Sequence, residues 1–230
     1  MAGVLLLVGS FSVLCLSDDP SPGHGGPLLK KSKLVTAQHG AVAADDYRCS
    51  TIGRDVLKDG GNAVDAAIAT GLCIGVIQSF SSGIGGGGFM LIRPHGAPPE
   101  LIDFREEAPA AASVDMFYDN ITLAQVGGLA VGIPGELRGY ELAHKRHGKL
   151  PWARLVQPSI DLCRRGFTMS TILAKVVNHE REWIVSAQGF NTTFVHPDGA
   201  LLTAGDTVYR HNLAVTLEVI AKDGVEPFYN

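Results

Sequence analysis

The sequence predicts a mixed α/β fold, α+β in its succession of elements. Several segments repeat apolar residues at the helical period between recognisable caps. Among them, a glycine-rich loop runs into two short apolar segments joined by a Pro/Gly turn, which is the pattern of a β-hairpin. The chain has 230 residues, 46% apolar and 18% charged, so it carries enough apolar material to bury a core.

The elements follow in order. Residues 35–44 predict a strand. Asp45 and Asp46 are candidate caps for a helix running through Lys58, and Asp59-Gly60-Gly61 stops it. Asn62 then caps a second helix with Val64, Ala67, Ile68, Gly71, Leu72 and Gly75 on one face. Its many small residues imply close packing against a neighbour. Residues 89–93 and 101–105 predict the hairpin strands. Residues 110–126 are irregular, and residues 127–135 predict a strand ending in a Pro-Gly turn. Residues 136–147 form an amphipathic helix. Pro151-Trp152 opens another that runs to Arg165, residues 171–185 a third, and residues 212–221 the last.

Composition excludes some functions. Nineteen Lys and Arg against twenty-three Asp and Glu leave no basic footprint for nucleic acid. Aromatics are sparse, so there is no base-stacking platform. Residues 2–16 are almost wholly apolar and end at Ser17-Asp18-Asp19-Pro20. That matches the length of a signal-peptide apolar region and falls short of the roughly 20 residues that span a bilayer. Residues 1–17 therefore read as a cleaved signal or short signal-anchor, and residues 18–34, rich in Pro, Gly and Ser, as a flexible stalk. Asn120-Ile121-Thr122 and Asn191-Thr192-Thr193 fit the glycosylation pattern, in keeping with a secretory route. Of four cysteines, Cys15 belongs to the leader. Cys49 and Cys73 are the natural pair, since each lies on or beside a helix and a Gly-Gly turn joins the two. Cys163 is left as a free, buried thiol.

Gly83-x-Gly85-x-x-Gly88 matches the dinucleotide fingerprint in spacing only. That loop must follow a strand and open a helix, so that the helix N-terminus faces the pyrophosphate. Here a helix precedes and a strand follows. His144 and His147 lie one turn apart with Lys145 and Arg146 between them, which reads as a solvated helix face and not as a metal site. No nucleophile elbow, metal cluster or Cys–His pair is present in the pattern. Five glycines among residues 83–88, with Arg105 ending the next strand, suggest backbone N–H groups and one guanidinium arranged for an anionic small molecule. Taken alone, Arg105 reads as a strand-end arginine paired with Asp103, Glu106 or Glu107.

Five motifs then carry a resemblance. They are Gly60-Gly61-Asn62-Ala63-Val64-Asp65-Ala66-Ala67, Ser82-Gly83-Ile84-Gly85-Gly86-Gly87, Arg105-Glu106-Glu107-Ala108-Pro109, Pro134-Gly135-Glu136-Leu137-Arg138-Gly139-Tyr140 and His147-Gly148-Lys149-Leu150-Pro151-Trp152. From about Ala41 to Asn230 the chain resembles the γ-glutamyltransferase (glutathione hydrolase) family. The resemblance implies an N-terminal nucleophile hydrolase-like αββα sandwich, incomplete here, with residues 35–230 forming a large-subunit portion. It implies that Arg105 grips the α-carboxylate of a γ-glutamyl group, that Cys49 and Cys73 form a family disulfide, and that Asn120 lies where animal members carry a sequon. A second family cysteine pair, around residues 188–200, is missing.

The implied reaction is γ-glutamyl transfer or hydrolysis of glutathione and its conjugates, with no cofactor and no metal. In the family, a precursor cleaves itself, and the nucleophile is the threonine exposed at the small subunit's N-terminus. Thr36, Thr51 and Thr70 do not lie in such a processing motif. The implied partners are glutathione and γ-glutamyl compounds, amino-acid or dipeptide acceptors, and the protein's own small subunit. The implied location is the cell surface, facing outward, or the secreted pool. The chain alone is expected to be inactive. The alternative is a large-subunit-like binding protein without enzyme activity.

Overall fold

The computed structural model describes residues 35–230. The leader and stalk read from residues 1–34 lie outside the described residues.

Residues 35–44 form no strand. A strand needs a hydrogen-bonding partner, and none of the described strands pairs with this segment. It lies instead along helix α1 (Tyr47–Lys58), with Val42 packed beside Gly53 and Leu57 beside Gly40. Asp46 caps α1 by accepting from the Arg48 N–H at 2.8 Å. The helix ends at Asp59, and Gly60 at φ +92° turns the chain out of it.

Helix α2 (Ala63–Ile77) is the central element, buried on nearly every side. A capping box starts it: Asn62 accepts from Val64 and Asp65, and the Asp65 carboxylate accepts from the Asn62 N–H at 3.0 Å. Asp65 has no exposure, yet it also takes the N–H groups of Lys149 (3.1 Å) and Leu150 (3.2 Å). Those bonds satisfy its buried lone pairs and tie the far chain to the start of α2. Cys49 and Cys73 form the expected disulfide between α1 and α2.

Strands β1 (Gly88–Ile92) and β2 (Glu100–Phe104) make an antiparallel hairpin with Met90 opposite Ile102. Met90, Ile92 and Ile102 face the core, while Phe89, Leu91 and Leu101 face outward, as the period of two requires. The hairpin packs on α3 (Glu136–His147). The stretch expected as a strand at 127–135 is a 3₁₀ turn at Gly128–Ala130 followed by one bridge, Ile133 to Glu107. Gly127 at φ +98° breaks the extended path, which leaves a single residue pair to bond.

Helix α4 (Trp152–Arg165) packs on α2 and on α8 (His211–Asp223). Between them, β3 (Phe167–Thr168) pairs with β4 (Thr207–Val208). The helix expected over 171–185 is two, α5 (Thr171–His179) and α6 (Arg181–Ser186), broken at Glu180. Residues 178–182 are all exposed, so no buried side chain holds the helical path there. The short α7 (Asn191–Phe194) and α9 (Glu226–Tyr229) complete the described elements.

The histidine pair departs from its expected solvated face. Both rings are half-buried. Gly148 ends α3 and folds residues 148–152 back on it, so His144 Nε2 meets Leu150 O at 2.8 Å and the ring lies edge-on to Trp152. His147 Nε2 is 2.7 Å from Glu100, which Arg146 also binds. These contacts fasten α3 to the foot of β2. Cys163 is free and buried, and burial pushes its thiol up to about 11, beyond ready ionisation.

Candidate functional site

Three segments converge on Arg105. Helix α2 ends at Gln78, and its last carbonyls are capped from across the fold: Arg210 donates to Gly75 O at 3.0 Å and to Val76 O at 3.2 Å. Arg210 is largely buried, and that burial lowers its pKa. The chain then enters the glycine loop. The order is helix, loop, strand, which removes the dinucleotide reading on geometric grounds.

The loop stacks on the end of β2. A Cβ on Gly87 would overlap Phe104 O and stand 3.0 Å from Arg105 Cα. A Cβ on Gly135 would overlap Phe104 O and stand 3.0 Å from Arg105 O. Only glycine permits this approach of three backbones. Gly86 O accepts from Gly135 N (2.9 Å) and Glu136 N (3.0 Å), so the loop is bolted to the first turn of α3. The expected anion cradle is narrower than its glycine content suggests. The Gly86 N–H bonds inside the loop to Gly83 O at 2.9 Å, and the Gly83 N–H offers a hydrogen bond to Glu136.

Arg105 is the first residue after β2, with its N–H held by Asp103 Oδ1 at 3.0 Å. Its Nε is 3.3 Å from Glu106 Oε2, so the ion pair read from the sequence is present. The side chain is still 59% exposed, which leaves the guanidinium open to a second carboxylate. Glu106 lies near the loop as well: a Cβ added to Gly86 would come within 3.5 Å of its Oε1.

Sequence reasoning missed Glu136. An acid at the first position of a helix is ordinarily a surface partner of the helix dipole. Here it is 4% exposed, and its Oε1 has no hydrogen-bond partner among the described residues. Burial pushes its carboxyl up to about 7; the Gly83 N–H opposes the rise and Glu106 adds to it.

Asn120 is exposed and caps a 3₁₀ turn, Ile121–Ala124, by accepting from Thr122 N at 3.1 Å. Asn191 is half-buried at the start of α7, and its Oδ1 is buried without a partner among the described residues. A surface depression of about 520 Å³, lined by Ala174, Asn178, Arg181 and Leu202 among others, shares no residue with the Arg105 site. Among the described residues no His, Cys, Asp and Glu side chains gather to hold a metal, and no helix is long and apolar enough to cross a membrane.

Residues 49–230 match the family described as gamma-glutamyltranspeptidase. The chain is 50% identical over 197 residues to glutathione hydrolase proenzyme 1 of Schizosaccharomyces pombe, covering 85% of this chain and 31% of that protein. It is 43% identical over 208 residues to glutathione hydrolase 3 of Arabidopsis thaliana, covering 90% of this chain and 32% of that one. Among solved structures it superimposes on Helicobacter pylori gamma-glutamyltranspeptidase with a TM-score of 0.82 at 32% identity, over 86% of this chain and 58% of that chain. The chain thus spans about a third of the length of the curated relatives it matches. The expected N-terminal nucleophile hydrolase fold is borne out by this superposition, which covers part of the other chain. With a family match over most of its length, an arginine set at a hairpin end and a glycine loop packed beneath it, the chain belongs to the gamma-glutamyltranspeptidase family.

Proposed function

We propose that this chain is the substrate-gripping portion of an enzyme that transfers or hydrolyses the γ-glutamyl group of glutathione and related compounds. The observation that carries the reading is Arg105: a half-open guanidinium fixed at the end of β2, on backbone that two glycines allow to pack tightly. A planar guanidinium binds a carboxylate through two parallel, charge-assisted hydrogen bonds. Arg105 holds the substrate's α-carboxylate and so fixes where the γ-carbonyl lies. A threonine hydroxyl supplied by polypeptide outside these 230 residues attacks that carbonyl, with the threonine's own α-amine taking the proton. The acyl-enzyme is then resolved by water or by an acceptor amine.

The outward hairpin face, where Phe89, Leu91 and Leu101 are exposed, is the apolar surface this reading offers to a small subunit. On the apolar stretch at residues 2–16 and the two sequons, the protein works at the cell surface or in the secreted pool, with Asn120 and Asn191 as glycan acceptors. Asn120 is the better presented of the two.

The test uses protein expressed from the native transcript. Incubation with glutathione should release glutamate and cysteinylglycine, and adding a dipeptide should divert part of the glutamate into a γ-glutamyl product. Absence of both products would overturn the reading. The isolated 230-residue chain should form neither.

A further inference from the structure

Arg210 holds the end of α2, from which the glycine loop starts, and the reaction above does not use it. The residue is itself fixed through its backbone. Its N–H donates to Cys163 O at 3.0 Å, near the end of α4, and its carbonyl accepts from Ala214 N at 2.9 Å, in the first turn of α8. The side chain starts where α4 and α8 pack together and runs to the last turn of α2. There its Nη1 donates to Gly75 O at 3.0 Å and to Val76 O at 3.2 Å.

The end of α2 depends on that contact. The last carbonyls of a helix have no partner within it. Helix α2 carries no basic residue in its last turn, and among the described residues no backbone N–H beyond the helix returns to Gly75 or Val76. The Ser81 and Ser82 N–H groups go to Gln78 O instead. Arg210 therefore satisfies two carbonyls and sets a positive charge at the negative end of the helix dipole.

The glycine loop rests on this turn. A Cβ on Gly75 would stand 2.8 Å from Gly83 Cα, so the two backbones touch with no side chain between them. Gly83 O accepts from Gly86 N at 2.9 Å, and Gly86 O accepts from Gly135 N and Glu136 N. A Cβ on the next residue, Gly87, would stand 3.0 Å from Arg105 Cα. Hydrogen bonds and backbone contacts thus lead from Arg210 to the backbone of Arg105, and close-packed backbone has little slack to absorb a shift.

We propose that Arg210 is a positioning residue for Arg105: by tying Gly75 and Val76 to the α4–α8 pair, it sets the seat of the glycine loop and so the place from which the Arg105 guanidinium meets the substrate's α-carboxylate. This rests on the reading of Arg105 as a carboxylate grip. Without the Arg210 contact the last turn of α2 loosens, Gly83 moves with it, and Arg105 loses the alignment that two parallel hydrogen bonds require. Recognition of the α-carboxylate is impaired, while handling of the rest of the substrate is not.

The test uses protein expressed from the native transcript and two substrates, a γ-glutamyl anilide and the γ-aminobutyryl anilide that lacks the α-carboxylate. The readout is the ratio of their kcat/KM values. A variant that merely folds less well lowers both values together and leaves the ratio unchanged. In Arg210→Met the ratio should fall about 10-fold, the scale of a sub-ångström to ångström misplacement. Arg210→Lys keeps the charge but cannot span both carbonyls with a planar fork, and the ratio should fall about 3-fold. An unchanged ratio in Arg210→Lys would overturn the proposal, whether or not Arg210→Met folds. Arg105→Ala, measured alongside, separates the two readings. If it collapses the ratio and the Arg210 variants do not, only the role of Arg210 fails; if it leaves the ratio unchanged, the carboxylate grip fails and this proposal with it.

Discussion

The buried Glu136 makes the stability of this chain depend on pH in a way that can be worked out beforehand. Its carboxyl is pushed from 4.5 up to about 7 in the folded state, chiefly by burial. A carboxyl raised on folding binds its proton more tightly in the native chain, so it carries no penalty below the unfolded value. The penalty grows as pH rises through the window from about 4.5 to 7 and is complete above it. Each tenfold change in proton affinity between the two states corresponds to about 1.4 kcal/mol, so the loss across the window is about 3 kcal/mol. Glu136→Gln removes this penalty.

The variant also leaves a buried amide with its own cost, but that cost does not vary with pH. The quantity to measure is therefore the difference in unfolding free energy between variant and wild type, by urea titration at pH 5 and at pH 8. About 0.8 kcal/mol of the penalty is already present at pH 5, so with a urea slope of about 2 kcal/mol per molar the variant's midpoint should gain about 1.2 M on the wild type between the two pH values. A difference that is the same at both would show that Glu136 ionises in the folded chain as it does in water, and the reasoning would fail.

Two further outcomes follow from packing and covalent geometry. Gly135→Ala would place a methyl group against Phe104 O and Arg105 O, both backbone atoms, and should cost about 2–3 kcal/mol in a denaturant melt while displacing the Arg105 resonances. Replacing Cys49 and Cys73 together by serine opens a loop with a sequence separation of 24. The loss should be about 3 kcal/mol larger in the oxidised protein than under reducing conditions, where only the cost of two buried hydroxyls remains.

The elements that the sequence announced most clearly are those with local punctuation. Helix α3 begins directly after Pro134-Gly135, and α4 lies between Pro151 and Gly166, so their ends could be placed from neighbouring residues alone. The capped start of α2 at Asn62 and the hairpin around residues 94–99 were legible for the same reason. The pairing of Cys49 with Cys73 also followed from two adjacent helices.

What the sequence hid depends on distant partners. Residues 35–44 have strand-like composition, but composition does not reveal whether an edge is available to receive them. His144 and His147 look like surface residues until residues 148–152 fold back and Glu100 arrives from β2. Arg105 stood out through its place after an apolar strand, although its role came only from the resemblance. Glu136 gave no signal, because the groups that act on its carboxyl, Gly83 and Glu106, lie far from it along the chain.

The sharpest check on Arg105 as the grip of the γ-glutamyl α-carboxylate is a two-by-two comparison. Protein expressed from the native transcript, wild type and Arg105→Ala, is assayed on a γ-glutamyl anilide and on the γ-aminobutyryl anilide that lacks the α-carboxylate. Hydrogen bonds to a charged group contribute about 1.5–3 kcal/mol, so kcat/KM for the γ-glutamyl substrate should fall about 10- to 150-fold in the variant. The decarboxylated substrate should be turned over equally poorly by both proteins. An equal fall on both substrates, or no fall on the first, would contradict the assignment of Arg105 as the carboxylate grip.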